Sequence, residues 1–255
     1  MKSVYTGGEK VAEFESYDEL RVGDSKPAFI YEGNELVYPN PVKDGLVLWY
    51  DFSGRSNADG QRGIAEDLSG NGNHGTLQNF NFTPESGYDK NKLLFDGVDD
   101  FVEVPNTQSI SSFSLFMYLS PNIDNNLPLT QFSNSNTYFN VESSGKLLFF
   151  AQSNDGENNY FNGVRSLGYY DTNKKIISVG VVVDKSSIIL YADGIEIGRG
   201  NLKSDIVPTF LTGLGKWNKS YPKVEINSVH FYNRPLTPEE IAHNYAIEKE
   251  RFGIE

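Results

Sequence analysis

The chain has 255 residues, 38% of them hydrophobic and 13% aromatic, which suits one large globular domain with a small appendage. It contains no cysteine, so disulfides and thiolate metal sites are excluded. The formal charge is −12, from 34 acidic and 22 basic residues. This balance argues against nucleic acid or a membrane as the partner, because both reward clustered lysine and arginine.

The beginning of the chain and its apolar runs bear on localisation. Met1–Gly8 lacks the apolar segment of a secretory signal peptide. The longest apolar runs, such as 146–151, have the length of a strand and are too short to span a bilayer. We therefore expect a protein that is made in a cytoplasm and leaves it, if at all, by lysis or assembly.

The first 41 residues contain a short repeat. The pattern Tyr-x-Gly-(Gly/Asn)-Glu-x-Val occurs at 5–11 and at 31–37, and each copy predicts a β-hairpin. Two hairpins bury little surface, so this module either needs a partner or another copy of itself, or lies on the main domain as an extension. A turn-rich segment, 21–27, separates the copies. Pro39 and Pro41 predict a stiff linker, which divides the chain into residues 1–41 and 42–255.

The main domain contains many short apolar runs separated by turn residues. The run at 45–52 predicts a strand, 53–77 is rich in glycine, asparagine and aspartate and predicts a loop, and Asp193-Gly194 is a strong hairpin signal. The remaining strand predictions are 93–105 with a turn at 96–97, 113–119, 138–141 and 147–151 as a hairpin, 176–183, 187–192 and 224–232. The pattern favours an all-β sandwich.

Only the C-terminus predicts a helix. Thr237 suits the N-cap, Pro238 suits the first helical position, and Glu240 completes a Thr-x-x-Glu capping box. Ile241 and Tyr245 continue at helical spacing.

Five stretches in order resemble the laminin G-like, or concanavalin A-like, jelly-roll family. They are an opening apolar-aromatic strand at 45–52, a D-x-S-G-N-G-N-x-G loop at 67–75, an L-x-F-D-G-x-x-D-(F/Y)-V segment at 93–104, an L-Y-x-D-G turn at 190–197 and a Y-N-R-x-L-x-x-E-E-I segment at 232–241. The resemblance covers roughly residues 45–248. It implies a jelly-roll sandwich used mostly for display and glycan binding.

The N-terminal hairpins resemble, more loosely, those that begin virion proteins from phages of Gram-positive bacteria. The two resemblances together imply a virion structural protein, a head or tail fibre whose N-terminal module contacts other virion proteins and whose jelly roll adheres to cell-wall glycan. Because fibres are commonly trimers, we expect a homotrimer. The alternatives are a free carbohydrate-binding module and, third, a glycan hydrolase.

Sequence patterns for catalysis are missing. Retaining glycanases of this fold need two carboxylates that face one glycosidic bond, and no Glu-x-Asp-x-(x)-Glu strand occurs. His74, His230 and His243 share no metal-binding spacing. We therefore expect no catalytic residue and no enzyme activity.

Calcium is the cofactor that the family resemblance suggests, because laminin G-like domains often bind one ion. Asp96, Asp99 and Asp100 on a glycine turn, with Asp67 from a neighbouring loop, could supply its oxygen ligands. The alternative is that these aspartates only satisfy local backbone amides as turn formers.

Aromatic residues in polar segments are the candidate glycan contacts. Trp217 and Tyr221 lie in a predicted polar loop at 215–221, and Tyr160 and Phe161 lie in another at 158–162. Exposed aromatics of this kind need an explanation. The alternative is that they cap the edge of the sandwich. Trp49 lies in an apolar strand and is predicted to be core.

Overall fold

The computed structural model describes residues 2–6, 9–14, 29–32, 35–105, 107–121, 127–134 and 136–255. The described residues form twenty strands and one helix. The strands before the middle of the chain are β1 (Lys2–Thr6), β2 (Glu9–Phe14), β3 (Ile30–Glu32), β4 (Glu35–Tyr38), β5 (Leu46–Asp51), β6 (Ile64–Ala65), β7 (Gly75–Gln78), β8 (Gly87–Asp89), β9 (Lys92–Asp96) and β10 (Phe101–Glu103). The later elements are β11 (Ser112–Leu119), β12 (Thr130–Phe132), β13 (Tyr138–Val141), β14 (Leu147–Asn154), β15 (Asn159–Arg165), β16 (Ile177–Asp184), β17 (Ser187–Ala192), β18 (Ile195–Asn201), β19 (Leu211–Leu214), β20 (Lys223–Tyr232) and α1 (Pro238–Phe252).

The first large sheet is built around β20. Its strand order is β18-β17-β16-β11-β20-β9-β8, and β5 also pairs with β20. One edge of β20 pairs with β11, while the other edge pairs first with β9 and then with β5. Asn227 lies between these two partners, where the register against Tyr118 and Leu119 shifts. All pairs in this sheet are antiparallel.

The second large sheet combines two smaller ones. One has the order β12-β19-β10-β7-β6, and the other has the order β13-β14-β15. An isolated bridge between Pro128 and Asn140 joins them, and the Leu129 amide donates to the Phe139 carbonyl at 2.9 Å. The surface of β12–β15 is therefore continuous, and this surface positions the candidate site.

A large apolar core fills the space between the two sheets. Residues on alternate positions of β11, β14 and β16 point inward, among them Phe113, Phe149 and Val181, and all three are fully buried. Rings of Phe113, Phe132 and Phe231 pack with centroids 5.3 to 6.4 Å apart. The predicted all-β sandwich with a terminal helix is therefore confirmed.

The helix α1 packs on the outer side of the first sheet. The predicted N-terminus is confirmed, because the Glu240 amide donates to Thr237 Oγ1 and the Glu240 carboxylate accepts from the Thr237 amide. Gly253 in the left-handed region ends the helix, as is common at this position. Ile241 joins Trp49 in a second apolar cluster, so Trp49 is core as predicted.

A buried network of charges lies under the last turns of α1. Arg251 contacts Asp51 at 2.8 Å and Glu248 at 2.6 Å. The other oxygen of Glu248 lies 3.4 Å from His230 Nε2. Burial raises the pKa of Asp51, whereas Arg251 and His230 outweigh burial and lower the pKa of Glu248. The opposite charges of neighbouring side chains thus offset the cost of burying each ionisable group.

The N-terminal repeat forms hairpins, as predicted. β1 pairs with β2 and β3 pairs with β4, both antiparallel. The turns at 7–8 and 33–34, and the predicted turn-rich segment 21–27, lie outside the described residues. Residues next to the proline-containing linker contact α1: the Val42 amide donates to Asn244, and the Asn40 carbonyl lies 3.0 Å from His243. The division at residue 41 stays a prediction.

Candidate functional site

A row of aromatic rings crosses the outer face of the second sheet. Along β14, Leu147, Phe149 and Ala151 are buried, so the alternate residues Phe150 and Gln152 face outward. Tyr138 lies opposite Phe150 in the β13–β14 pair. Their rings stack, with centroids 5.3 Å apart and planes 13° apart. The hairpin thus places two parallel, stacked aromatic rings on the outer face of the sheet.

Trp217 extends this surface from the loop after β19. Its ring meets Tyr138 edge-on at 5.0 Å. Reciprocal backbone hydrogen bonds between Trp217 and Ser220 close the loop, and the Asn218 amide donates to Gln131 Oε1 at 2.9 Å. These bonds hold the loop against β12 and fix the indole beside the tyrosine.

Gly215 allows this loop to leave the sheet. Its φ is +72°, a left-handed conformation that favours glycine. A Cβ at this position would lie 2.3 Å from the ring of the buried Phe95. The base of the loop is therefore packed directly on the core, which restricts its movement.

Amide side chains surround the aromatic row. Asn159 Oδ1 accepts hydrogen bonds from Gln152 at 3.0 Å and from Asn154 at 2.9 Å. Phe161 lies opposite Gln152 in the β14–β15 pair and is 54% exposed. The outer face of β12–β15 therefore combines exposed or half-buried rings with neutral amides, and one ion pair, between Arg165 and Glu142, lies at the end of β15.

The structure separates the four predicted glycan contacts. Trp217 and Phe161 lie on this outer face. Tyr160 is on the other side of β15, because neighbouring residues of a strand face opposite ways. Its hydroxyl donates to Asp155 at 2.8 Å, and that hydrogen bond raises the pKa of Tyr160. Tyr221 packs beside Phe101 at 6.2 Å, farther along the sheet.

The prediction that residues 158–162 form a polar loop is wrong, since Asn159–Arg165 is a strand. The many asparagines hid it, because asparagine is rare in strands. Sequence reasoning also missed Tyr138 and Phe150 as surface residues. The alternation of Leu148, Phe150 and Gln152 with buried neighbours is the signal that could have identified Phe150.

Three of the four predicted calcium ligands come together. Carboxylate oxygens of Asp96, Asp99 and Asp100 lie within 4.8 Å of one another. Asp100 is fully buried, its Oδ2 accepts from the Asp96 amide at 3.0 Å, and its Oδ1 has no hydrogen-bond partner among the described residues. Burial raises the pKa of Asp100 and outweighs the Asp96 amide and the nearby Ser86 side chain, which both lower it. An unpartnered buried oxygen beside two further carboxylates fits a hard cation.

Asp67, the fourth predicted ligand, has a different use. Its carboxylate accepts from the backbone amides of Trp49, Ser69 and Asn73 and from the Ser69 hydroxyl, at 2.8 to 3.0 Å. Four donors saturate its lone pairs, and it is not in the group of three aspartates. Asp67 therefore organises the 67–75 loop, as the turn-former alternative expects.

The three histidines lie apart. His74 Nδ1 accepts from the Asp67 amide at 3.0 Å, His230 is buried beside Glu248, and His243 contacts the Asn40 carbonyl. The three histidines thus contact three different parts of the chain.

A model for the concanavalin A-like lectin/glucanases superfamily, called Laminin_G_3, matches residues 96–242, more than half of the chain. The chain belongs to this superfamily. The match confirms the laminin G-like jelly roll predicted from the sequence motifs. No curated protein matches the chain. Among the described residues, no helix is long and apolar enough to cross a membrane.

Solved structures share this fold. The binding domain of botulinum neurotoxin DC in complex with SialylT matches with a TM-score of 0.52 and 15% identity, over 80% of this chain and 52% of that chain. Domain 4 of AbnA, a GH43 extracellular arabinanase from Geobacillus stearothermophilus in complex with arabinotriose, matches with a TM-score of 0.53 and 16% identity, over 78% of this chain and 98% of that one. The chain thus spans about half of the neurotoxin chain. At these identities the likeness concerns the fold.

Proposed function

We propose that the domain binds a glycan through the outer face of β12–β15. The observation that carries this proposal is the continuous aromatic row of Trp217, Tyr138 and Phe150. Aromatic rings pack against the apolar faces of sugar rings, and flanking amides exchange hydrogen bonds with sugar hydroxyls. The arabinanase domain, seen with arabinotriose, and the neurotoxin domain, seen with SialylT, support this use of the fold.

The face suits a neutral, extended chain of sugars. Its outward side chains on β12–β15 include the amides of Gln131, Gln152 and Asn159. Three strand spacings separate β12 from β15, or about 14 Å, which is roughly the length of three sugar rings. No carboxylate pair lies within the row of rings and amides named here, so we propose binding without hydrolysis.

Replacing Trp217 by alanine tests the proposal. We expect retention on a column or array of neutral oligosaccharides to weaken at least about tenfold, as for a central aromatic anchor. Tyr169→Ala is the matched control, because Tyr169 is an aromatic side chain that is 64% exposed and lies outside the row. It should bind like the parent chain. Both variants are checked for folding by circular dichroism.

Two results would contradict the proposal. One is equal binding by Trp217→Ala and the parent chain, which would place the glycan elsewhere. The other is release of reducing sugar from a polymer that is bound, which would favour the glycan hydrolase over a binding domain.

We propose further that the domain is displayed on a virion as a homotrimer, attached through the N-terminal hairpins. The support is the repeat at 5–11 and 31–37 and the marginal stability of small isolated sheets, which favours association. Multi-angle light scattering of the full chain should give three times 28.5 kDa. A monomer at all concentrations would favour the free carbohydrate-binding module. Immunogold labelling of purified particles tests the location.

We also propose a structural calcium ion at the turn formed by Asp96, Asp99 and Asp100. The buried, unpartnered Oδ1 of Asp100 is the observation that supports it. Bound there, the ion would supply charge compensation for three neighbouring carboxylates and would stiffen the β9–β10 turn.

A further inference from the structure

A second cleft lies at one edge of the sandwich, and it shares no residue with the aromatic row. Its volume is about 470 Å³, within the range of small-molecule sites. Four parts of the chain surround it: the start of β5, the end of β20, the loop at 71–73 and the segment that precedes β11. The residues that matter for recognition are Val47, Asn71, Asn73, Thr107, Gln108 and Asn233.

The cleft is uncharged apart from one lysine. Eleven described residues line it, and they include Lys43 but no aspartate or glutamate. Val47 and Ile110 form a partly exposed apolar floor on the core. A ligand with one apolar face and several neutral polar groups fits such a surface.

Two amides are fixed with their oxygens left for a ligand. Asn71 Nδ2 donates to the Leu46 carbonyl at 2.7 Å, and Asn73 Nδ2 donates to the Val47 carbonyl at 2.8 Å. These bonds turn the NH2 groups toward β5. Neither Oδ1 accepts a hydrogen bond from another described residue. Since Asp67 holds the loop through four hydrogen bonds, the two acceptors are preorganised.

Thr107 adds a polar group that the protein itself leaves unpaired. Its Oγ1 is buried and has no hydrogen-bond partner in the part of the chain that the structure describes. A buried hydroxyl without a partner is costly, so a partner supplied by a ligand would stabilise it. Asn233 also lines the cleft and lies against Gly45, where a Cβ would come within 2.9 Å of its Oδ1. Glycine at 45 makes room for this amide.

We infer that this cleft is a second binding site, for a single neutral sugar ring or a similar uncharged polyol. Hydroxyl groups of the ligand would donate to Asn71, Asn73 and Thr107, and the apolar face of the ring would cover Val47. The inference goes beyond the glycan chain proposed for the aromatic row. Two separate sites on one chain would raise the avidity for a branched or repeating glycan without any new contact.

The experiment is a titration of the isotopically labelled full chain, followed by 1H–15N correlation spectra of side-chain amides. The probes are methyl glycosides of glucose, galactose, mannose and N-acetylglucosamine. We expect saturable shifts of the Asn73 and Gln108 amide signals with at least one probe. The same shifts should persist in Trp217→Ala, which removes the anchor of the other site.

Substitutions of cleft residues test whether the spectral shifts come from binding in the cleft. Thr107→Val and Gln108→Ala should each weaken the titration about fivefold, the usual effect of one neutral hydrogen bond. Thr172→Val and Gln61→Ala replace exposed residues of the same types outside both sites and should leave it unchanged. Neither cleft variant removes a side-chain hydrogen bond to another residue that the structure describes.

Three outcomes would overturn the inference. They are no saturable shift with any probe, an affinity of both Thr107→Val and Gln108→Ala that equals that of the parent chain, or loss of the shifts in Trp217→Ala. The last outcome would assign the binding to the aromatic row and leave the proposed glycan function standing. Conversely, the titration could show shifts of the cleft amides while retention on the oligosaccharide column does not depend on Trp217. That result would refute the proposed function and support the cleft as a binding site.

Discussion

Arg251 offers the sharpest test of how the helix α1 is held on the sandwich. Its guanidinium lies between the carboxylates of Asp51 and Glu248, at 2.8 and 2.6 Å. The three side chains are at most 3% exposed. Methionine replaces the aliphatic stem of arginine but carries no charge and does not reach the position of the guanidinium. In Arg251→Met, two buried carboxylates would lose the cation between them.

The size of the effect follows from this burial. Removing one partner of a buried ion pair costs about 3–5 kcal/mol, because the remaining charge is left uncompensated. A typical domain has only about 5–15 kcal/mol of stability, so the loss is large. Arg199→Met is the matched control: Arg199 pairs with Glu196 but is 68% exposed, so solvent screens the pair and its loss should change the stability little. Urea unfolding followed by tryptophan fluorescence measures both.

The pH dependence of the stability of Arg251→Met tests whether uncompensated carboxylates cause the loss. Without Arg251, burial would raise the folded-state pKa of Asp51 and Glu248 above the unfolded values. The folded state then binds more protons than the unfolded state, so the variant loses stability as the pH rises. The deficit should be smaller near about pH 5 than near about pH 8. A deficit below about 1 kcal/mol, or one that grows on acidification, would refute the reasoning.

The remaining predictions concern the cap of the helix, the core and the acidic turn. Thr237→Ala should cost about 1 kcal/mol by loss of the N-cap, measured by urea unfolding; a neutral result would contradict the capping box. The Arg234 hydrogen bonds lower the pKa of Glu240 to about 2, so its contribution to stability is present above the ordinary value of 4.5 and should be lost as the pH falls from there toward 2, as acid titration of unfolding will show. Gly180→Ala should cost about 1–3 kcal/mol, because the added Cβ would lie 2.2 Å from the Phe116 ring; Gly60→Ala, with nothing within 4 Å, is the control. Calcium should raise the thermal midpoint of the parent chain by a few degrees and leave Asp100→Asn unmoved, and an equal shift in both would place the ion elsewhere.

Much of the local structure was predictable because its signals lie in neighbouring residues. The Asp193-Gly194 turn, the hairpin at 138–151 and the Thr237 cap are all where the sequence places them. Each depends on a backbone conformation or hydrogen bond made within a few residues. The five ordered motifs identified the family on the same basis, and the family model confirms them.

Strands β15 and β19 were not predictable in this way. β15 and β19 are strands because a neighbouring strand supplies their hydrogen bonds, and neither has an alternation strong enough to stand out. Tyr160 and Phe161 were therefore grouped as one loop surface, although the pleat places them on opposite sides. The four aspartates grouped from the sequence also have different surroundings. Nearby hydrogen-bond donors saturate Asp67, whereas the carboxylates of Asp96, Asp99 and Asp100 lie close together.

The sequence by itself determined the turns, the helix cap and the class of sandwich. Only the tertiary structure decided that Trp217 lies beside Tyr138 and Phe150, that Thr107 lines one cleft with Asn71 and Asn73, and that Asp51 meets Arg251. The physical reason is the range of the interactions. Turns and caps close within a few residues, whereas a binding surface arises from strand pairing between distant segments, and that pairing is set by how the two sheets pack around their shared core.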